Sequence, residues 1–251
     1  MKKITVAITA LASIGIFAPC AGAEAVYSEN IVGYTKVTLE GDNFNMLSAA
    51  FVPVGGGVGK KIVDVFTDNS QFTAGYAATQ ADYINIWNGG GYETYFFSAF
   101  INSWASTQNM FNETDETIPS VGGFWLYRVN DNLPVTLAGE VITTNMTVSS
   151  IAADNFNMIA NPFAAPLPIK TIGIAAGSFT AGYAATQADY INVWNGNGYD
   201  TYFFSAFVNK WASTQDMFNE TDASIPAGGS FWLYSLGTAT SITLPVPYSV
   251  E

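Results

Sequence analysis

The sequence predicts an all-β protein built as two tandem homologous β-sandwich-like (or small-barrel) units, preceded by a signal peptide. Three observations predict it. Short β-branched and aromatic runs alternate with Gly, Asn, Asp and Pro clusters, and no long helical period is present. Residues 72–127 recur as residues 179–234 with eleven substitutions, and Asp42-Asn43-Phe44-Asn45-Met46 recurs as Asp154-Asn155-Phe156-Asn157-Met158. The chain opens on a basic start followed by an apolar run and small residues. The expected partition is a signal peptide over 1–23, a first unit over 24–139 and a second over 140–251. Each unit is long enough to bury its own core.

The N-terminal segment has the three regions of a secretory signal. Met1-Lys2-Lys3 is basic, residues 4–18 are apolar apart from Thr and Ser, and Cys20-Ala21-Gly22-Ala23-Glu24-Ala25 offers A-x-A cleavage sites before Glu24 and before Val26. Cleavage after Ala23 removes Lys2, Lys3 and Cys20 and leaves a more acidic chain without cysteine. A lipid on Cys20 is the weaker alternative, because Pro19 stands where a lipobox wants a small residue. The apolar run is short for a membrane span and nothing like a second one follows, so the mature chain is expected to have no transmembrane span.

In the first unit, strands are expected at 31–39, 44–48, 82–88, 91–97, 100–104, 123–128 and 135–138. In the second they are expected at 141–148, 156–160, 189–195, 198–204, 207–211, 230–235 and 241–245. Residues 61–66 read as a helical turn with Ile62, Val65 and Phe66 inward. Phe124-Trp125-Leu126-Tyr127 and Phe231-Trp232-Leu233-Tyr234 are apolar on both faces, which marks central strands with Trp125 and Trp232 in the core. Trp104 and Trp211 are less determined.

The sharpest local element is a hairpin. Tyr83-Ile84-Asn85-Ile86-Trp87-Asn88 turns at Gly89-Gly90 into Gly91-Tyr92-Glu93-Thr94-Tyr95-Phe96, and the second copy turns at Gly196-Asn197. Gly and Asn tolerate the positive φ that two-residue hairpin turns require. The turn fixes Trp87 opposite Tyr92, Asn85 opposite Thr94 and Tyr83 opposite Phe96. Alternation then gathers Tyr83, Asn85, Trp87, Tyr92, Thr94 and Phe96 on one face. Tyr190, Asn192, Trp194, Tyr199, Thr201 and Phe203 repeat it. Aromatic rings with amides and hydroxyls between them can stack on and hydrogen-bond a sugar. The same rings can equally form one inner layer of a sandwich, where aromatics contribute large burial energies. Alternation leaves the choice of inner face open.

Composition excludes several chemistries. Eight Lys and Arg face twenty Asp and Glu, for a net charge of −12; 11% of residues are charged, 49% hydrophobic and 15% aromatic. An acidic chain is a poor ligand for phosphate backbones, so no nucleic acid is expected. Without histidine there is no Ser-His-Asp or Cys-His catalysis and no His metal site, and one cysteine makes neither a disulfide nor a thiolate zinc site. No catalytic residue, metal or cofactor is therefore expected.

Other motifs are weaker. A glycosidase needs two carboxylates flanking a bond; Asp82, Glu93, Glu113 and Asp115, with Asp189, Asp200, Glu220 and Asp222, supply candidates but no singled-out pair. The loops Asn112-Glu113-Thr114-Asp115-Glu116 and Asn219-Glu220-Thr221-Asp222 match no calcium-loop spacing and read as solvated turns. Gly55-Gly56-Gly57-Val58-Gly59-Lys60-Lys61 lacks the spacing of a phosphate loop. Asn112, Asn145 and Asn219 fit the N-glycosylation pattern. An outer-membrane barrel is disfavoured by short strands and by the missing terminal aromatic residue.

Some of these motifs resemble secreted tandem β-repeat proteins of Verrucomicrobia and relatives. Asn30-Ile31-Val32-Gly33-Tyr34 is similar to their N-V-V-G-Y strand. Phe156-Asn157-Met158-Ile159-Ala160-Asn161-Pro162 is similar to F-N-L-I-A-N-P. Val193-Trp194-Asn195 with Gly198-Tyr199-Asp200-Thr201-Tyr202, then Gly228-Gly229-Ser230-Phe231-Trp232, follow the rest of the pattern. Similar G-F-W-V modules occur in Bacteroidetes surface proteins. The first unit departs at Ser48-Ala49-Ala50, where N-P is expected. The resemblance implies an exported β-rich module of uncharacterised function and carries over no site residue.

The expected function is that of an exported, non-catalytic structural or interaction protein of the bacterial cell surface, the extracellular space or the periplasm. Its expected partners are a glycan or a surface protein, with self-association through open sheet edges as a further reading. The first rival is a carbohydrate-binding module using the hairpin aromatics; the second is a glycosidase-like enzyme.

Overall fold

The computed structural model describes residues 31–237 and 239–249. The expected signal peptide, Cys20 and the residues before Ile31 lie outside them.

The fold is all-β, with antiparallel sheets and no α-helix among the described residues. The first copy of the repeat and its flanks form β1 (Val32–Leu39), β2 (Asn43–Ser48), β3 (Gly59–Lys61), β4 (Tyr83–Trp87), β5 (Tyr92–Ser98), β6 (Ser103–Ser106), β7 (Thr117–Pro119), β8 (Gly123–Arg128) and β9 (Leu133–Glu140). The second forms β10 (Met146–Val148), β11 (Asn155–Ala160), β12 (Leu167–Pro168), β13 (Gly173–Ala176), β14 (Tyr190–Trp194), β15 (Tyr199–Ser205), β16 (Lys210–Ser213), β17 (Ser224–Ile225), β18 (Ser230–Ser235) and β19 (Ser241–Leu244). Two five-stranded sheets have matching orders, β2-β8-β4-β5-β6 and β11-β18-β14-β15-β16. The ribbon β1-β9, the three-stranded sheet β10-β19-β13 and the short pairs β3-β7 and β12-β17 complete the architecture.

The hairpin forms with the expected register. Trp87 pairs with Tyr92, Asn85 with Thr94 and Tyr83 with Phe96, and the second copy repeats it. Gly89 and Gly196 take φ of 94° and 95°, where a side chain would be strained. Asn88 and Asn195 close the turns, their side-chain oxygens accepting from the backbone N–H groups two and three residues on.

Each five-stranded sheet is covered on both faces, which is why the interior strands β8 and β18 are apolar on both sides over Phe124–Leu126 and Phe231–Leu233. On one face of the first sheet, Leu47, Ile84, Phe97, Trp104, Phe124 and Leu126 pack on Leu39, Leu133, Val135 and Leu137 of the β1-β9 ribbon. Ile62–Asp64 forms a 3-10 turn, and Ile62, Val65 and Phe66 enter this core as expected. On the second sheet Ile159, Ile191, Trp211, Phe231 and Leu233 pack on Ile242 and Leu244 of β19. Trp104 and Trp211 are fully enclosed, and their indole N–H groups donate to Asn69 Oδ1 and the Ile172 carbonyl. A buried indole without such a partner would carry a desolvation penalty.

Some expected strands are corrected. The segments expected at 100–104 and 207–211 begin later, at Ser103 and Lys210. Asn102 and Asn209 adopt φ of 52° and 54°, and their N–H groups return to the Ser98 and Ser205 carbonyls. That turn leaves Phe100 and Phe207 outside any strand, because asparagine tolerates the left-handed region that ends extended pairing. The strand expected at 141–148 shortens to Met146–Val148. Strand β9 runs to Glu140, one residue past the expected unit boundary, and Val52 pairs with that end.

Candidate functional site

The other face of each five-stranded sheet carries the candidate residues. These two faces are turned towards each other. Met46, Trp125 and Trp232 are buried between them, with Phe44, Trp87, Phe156, Met158 and Trp194 packed around. The contacts are reciprocal. The Trp87 ring meets Trp232 edge-on at 5.6 Å and 88°, and Trp194 meets Trp125 at 5.4 Å and 86°. Trp87 Nε1 donates to the Phe156 carbonyl at 3.2 Å, and Trp194 Nε1 donates to the Phe44 carbonyl at 2.9 Å. Asn43 Nδ2 donates to the Gly196 carbonyl and Asn155 Nδ2 to the Gly89 carbonyl. Each copy thus presents the same patch to the other, the isologous geometry of a two-fold pair.

Backbone bonds join the two sheets at the same place. Ser48 N–H donates to the Gly228 carbonyl and Ala160 N–H to the Val121 carbonyl, both at 2.9 Å. Leu47 bridges Gly229, and Gly122 bridges Ile159.

The remaining candidates sit around this seam. Tyr83 stacks on Tyr127 at 5.2 Å and 17°, and Tyr190 on Tyr234 at 5.1 Å and 15°. Asn85 accepts from Thr94 Oγ1 and Asn192 from Thr201 Oγ1, each at 2.7 Å. Tyr92 and Tyr199 are the exposed members, at 47% and 44%, each edge-on to its neighbouring tryptophan. Burial raises both of their hydroxyl pKa values, opposed by hydrogen bonds from Trp125 and Trp232. Phe96 and Phe203 are fully buried. The structure therefore gathers the candidates on one face per sheet and engages Trp87 and Trp194 with the opposite sheet.

The candidate carboxylates have structural partners. Asp82 is enclosed, pairs with Arg128, and accepts from Thr73 N–H and Val129 N–H. Asp189 is equally enclosed and accepts from Thr180 N–H and Leu236 N–H, with Ser235 where the first copy has Arg128. Burial raises its carboxyl pKa, and those two amides oppose the rise. Glu113 accepts from Ser103, Asp115 pairs with Lys61, Glu220 with Lys210 and Asp222 with Lys170. Glu93 accepts from Tyr95 and Asp200 from Asn195. Among the described residues no group of three or more His, Cys, Asp and Glu is placed to hold a metal ion, and no helix is long and apolar enough to cross a membrane. The Gly55 N–H, in the glycine-rich loop, is occupied by the Glu140 carboxylate.

Two features escaped sequence reasoning. The first is Lys60, buried at the wall of a cleft of about 360 Å³ lined by Pro53, Val54, Asp64, Thr117 and Gly139. Its ammonium donates to the Ala49, Ala50 and Ala138 carbonyls and stands over the Phe51 ring. Burial lowers its pKa to about 8. Ala49 is the position where Asn161 stands in the second copy, and the Asn161 amide likewise ties together the Ala165, Ile225 and Pro226 carbonyls. The departure at Ser48-Ala49-Ala50 thus coincides with a lysine that gathers carbonyls instead.

The second is a pair of exposed aromatic triads. Tyr76, Phe100 and Phe111 are 64%, 45% and 62% exposed, and Tyr183, Phe207 and Phe218 are 63%, 45% and 62% exposed. Tyr76 meets Phe100 at 5.1 Å and Phe100 meets Phe111 at 4.6 Å; the second copy gives 5.0 and 4.6 Å. The available signal was an aromatic residue beside a small or polar one in each of three loops: Gly75-Tyr76-Ala77, Ala99-Phe100 and Phe111-Asn112.

Comparison with protein families, curated proteins and solved structures finds no match to this chain.

Proposed function

We propose that this chain is an exported, non-catalytic interaction protein, made of two tandem β-sandwich-like units behind a cleaved signal peptide. Its place is the cell surface, the extracellular space or the periplasm, and it acts by presenting surface to a glycan or a surface protein. The observation that carries the reading is the contrast between the two kinds of aromatic surface. The tryptophan-bearing faces are occupied by each other, whereas the two triads stand in solvent, where apolar patches mark interaction sites. The carboxylates a hydrolase would use are engaged in structural pairs, which supports a role without chemistry. The signal-like N-terminus and the resemblance to secreted β-repeat proteins support export.

Glycan binding at the hairpin aromatics is a second reading, favoured by the half-exposed Tyr92 and Tyr199. It leaves one open ring per hairpin, since Trp87 and Trp194 pack across the seam.

The test is fractionation of a bacterial host that makes the full chain with a C-terminal tag, followed by intact mass. Mass corresponding to a start at Glu24, found outside the cytoplasm, is the expected result. An uncleaved chain confined to the cytoplasm overturns the reading.

A further inference from the structure

We propose that the triads Tyr76–Phe100–Phe111 and Tyr183–Phe207–Phe218 are two equivalent binding sites for a neutral polysaccharide, a specification that rests on the interaction reading above. Three loops supply the rings of each site, and buried backbone contacts hold those loops together. Gly75 N–H donates to the Phe97 carbonyl at 3.0 Å, and Ala99 N–H donates to the Gly75 carbonyl at 2.9 Å. A Cβ on Gly75 would lie 2.7 Å from the Gln80 carbonyl oxygen, so only glycine allows this approach, which sets Tyr76 beside Phe100. The Ser98 hydroxyl, on a fully buried residue, donates to the Met110 carbonyl at 2.8 Å and ties down the loop bearing Phe111. Gly182, Ala206, Ser205 and Met217 repeat every one of these contacts. The rings are therefore preorganised, and a ligand meets them without ordering a loop.

The chemistry selects the occupant. Three rings with these exposures offer roughly 300–350 Å² of apolar surface per site, taking ~200 Å² for a whole ring. A stable protein interface or dimer needs about 800 Å² from each partner. A little over half of that area is apolar, or ~450 Å², so the three rings fall short of it and fit one or two sugar rings, whose C–H faces meet the electron-rich aromatic faces. Exposed Asn102, two residues from Phe100, and exposed Asn112, beside Phe111 and donating to Asn109 Oδ1, place amides near the rings for hydroxyl groups. Carboxylates follow in the same loops, Glu113 and Asp115 in one and Glu220 and Asp222 in the other. Asp115, Glu220 and Asp222 are paired with lysines, so the bias against anionic glycans, lipid headgroups and nucleic acid comes from the net charge of −12 rather than from these loops. Phe100 and Phe207 lie in the turns leading into β6 and β16, the sheet edges opposite the β2 and β11 edges at the seam, and the other rings of each triad gather around them, so both sites are open at once. On a polymer the second site adds avidity, raising apparent affinity by ~10²–10⁴-fold.

The experiment is depletion of the mature full chain by insoluble cellulose, chitin, β-1,3-glucan, mannan and granular starch, followed by calorimetry with the hexasaccharide of whichever polymer retains it. Two sites per chain are expected. Phe100→Ala with Phe111→Ala reduces the stoichiometry to one, as does Phe207→Ala with Phe218→Ala, and each lowers retention on the polymer at least tenfold. The quadruple variant is not retained. Tyr76→Ser with Tyr183→Ser, at exposed positions, gives the same weakening with an unchanged unfolding curve. No retention of the wild type on any of the five polymers overturns the proposal, as does undiminished binding by the quadruple variant. An exported chain that binds none of them overturns this inference and leaves the interaction reading standing. A glycan-binding chain that stays uncleaved in the cytoplasm overturns the export reading alone.

Discussion

Gly123 lies so close to Ser230 that a Cβ built on the glycine would fall 2.6 Å from the serine Cβ. The two residues occupy the same position in the two copies of the repeat, and they meet where the sheets join. One member of the pair has to be glycine, so the substitution between the copies at this point is a packing requirement. Gly123→Ser overpacks the seam and is expected to cost about 1–3 kcal/mol, read as a lower urea midpoint with an unchanged slope. Ser230→Gly removes a buried hydroxyl that has no partner among the described residues and is expected to be near neutral. Equal stability of Gly123→Ser and wild type would show that the seam is looser than described.

The reciprocal indole bonds give a second prediction. Trp87→Phe leaves the Phe156 carbonyl without its donor, and Trp194→Phe does the same to the Phe44 carbonyl. Each is expected to destabilise by about 1–3 kcal/mol, with the two losses matching within error in denaturant titration. A large loss for one and none for the other would contradict the two-fold character of the seam.

Removing the guanidinium from the buried pair gives a third. Arg128→Met leaves Asp82 enclosed without its cation, a change expected to cost up to about 3–5 kcal/mol at pH 7. Burial, the largest influence, raises the Asp82 carboxyl above its ordinary value, and the backbone amides and Arg128 oppose it. Loss of the arginine raises it further. A carboxyl with a raised folded pKa penalises folding while ionised, and the penalty lifts as pH falls through that pKa. The deficit of Arg128→Met should therefore shrink from pH 7 towards pH 4.5 in thermal melts. A constant deficit would mean that lost packing, not charge, dominates.

Lys60 gives the opposite sign. Its folded pKa is lowered to about 8 from an ordinary value of 10.5, chiefly by burial, with Asp64 opposing. Between those two values the unfolded chain holds a proton that the folded chain has released, so stability rises with pH. The difference between wild type and Lys60→Met should be flat below pH 8 and should climb in favour of wild type from pH 8 to 10.5. A flat difference over the whole range would show that the ammonium is not desolvated.

Much of this architecture was legible because side-chain alternation and turn chemistry act locally. The Gly89-Gly90 turn dictated the pairing of Trp87 with Tyr92, and the doubly apolar run around Trp125 marked a strand with neighbours on both sides, which β8 is, between β2 and β4. The placement of the aromatic face depended on long-range partners. Ile84 faces the core of its own copy while Trp87 faces the other copy, so both sides of one strand are covered and alternation alone could not rank them. The triads were hidden for a different reason. Phe100 reads as the first residue of a strand over 100–104, whereas the left-handed Asn102 delays that strand to Ser103 and leaves Phe100 in an exposed turn. Lys60 was obscured by its glycine-rich neighbours, and its carbonyl partners come from residues distant in the chain.

The clasp formed by Asn43 with Gly196 and Asn155 with Gly89 is made within one polypeptide. Two separate chains using such contacts would fall apart on dilution, whereas a short tether holds the halves at an effective concentration on the order of millimolar. A molecule released into open medium at trace levels would keep both of its outward-facing edges in fixed relation, however thinly it spread.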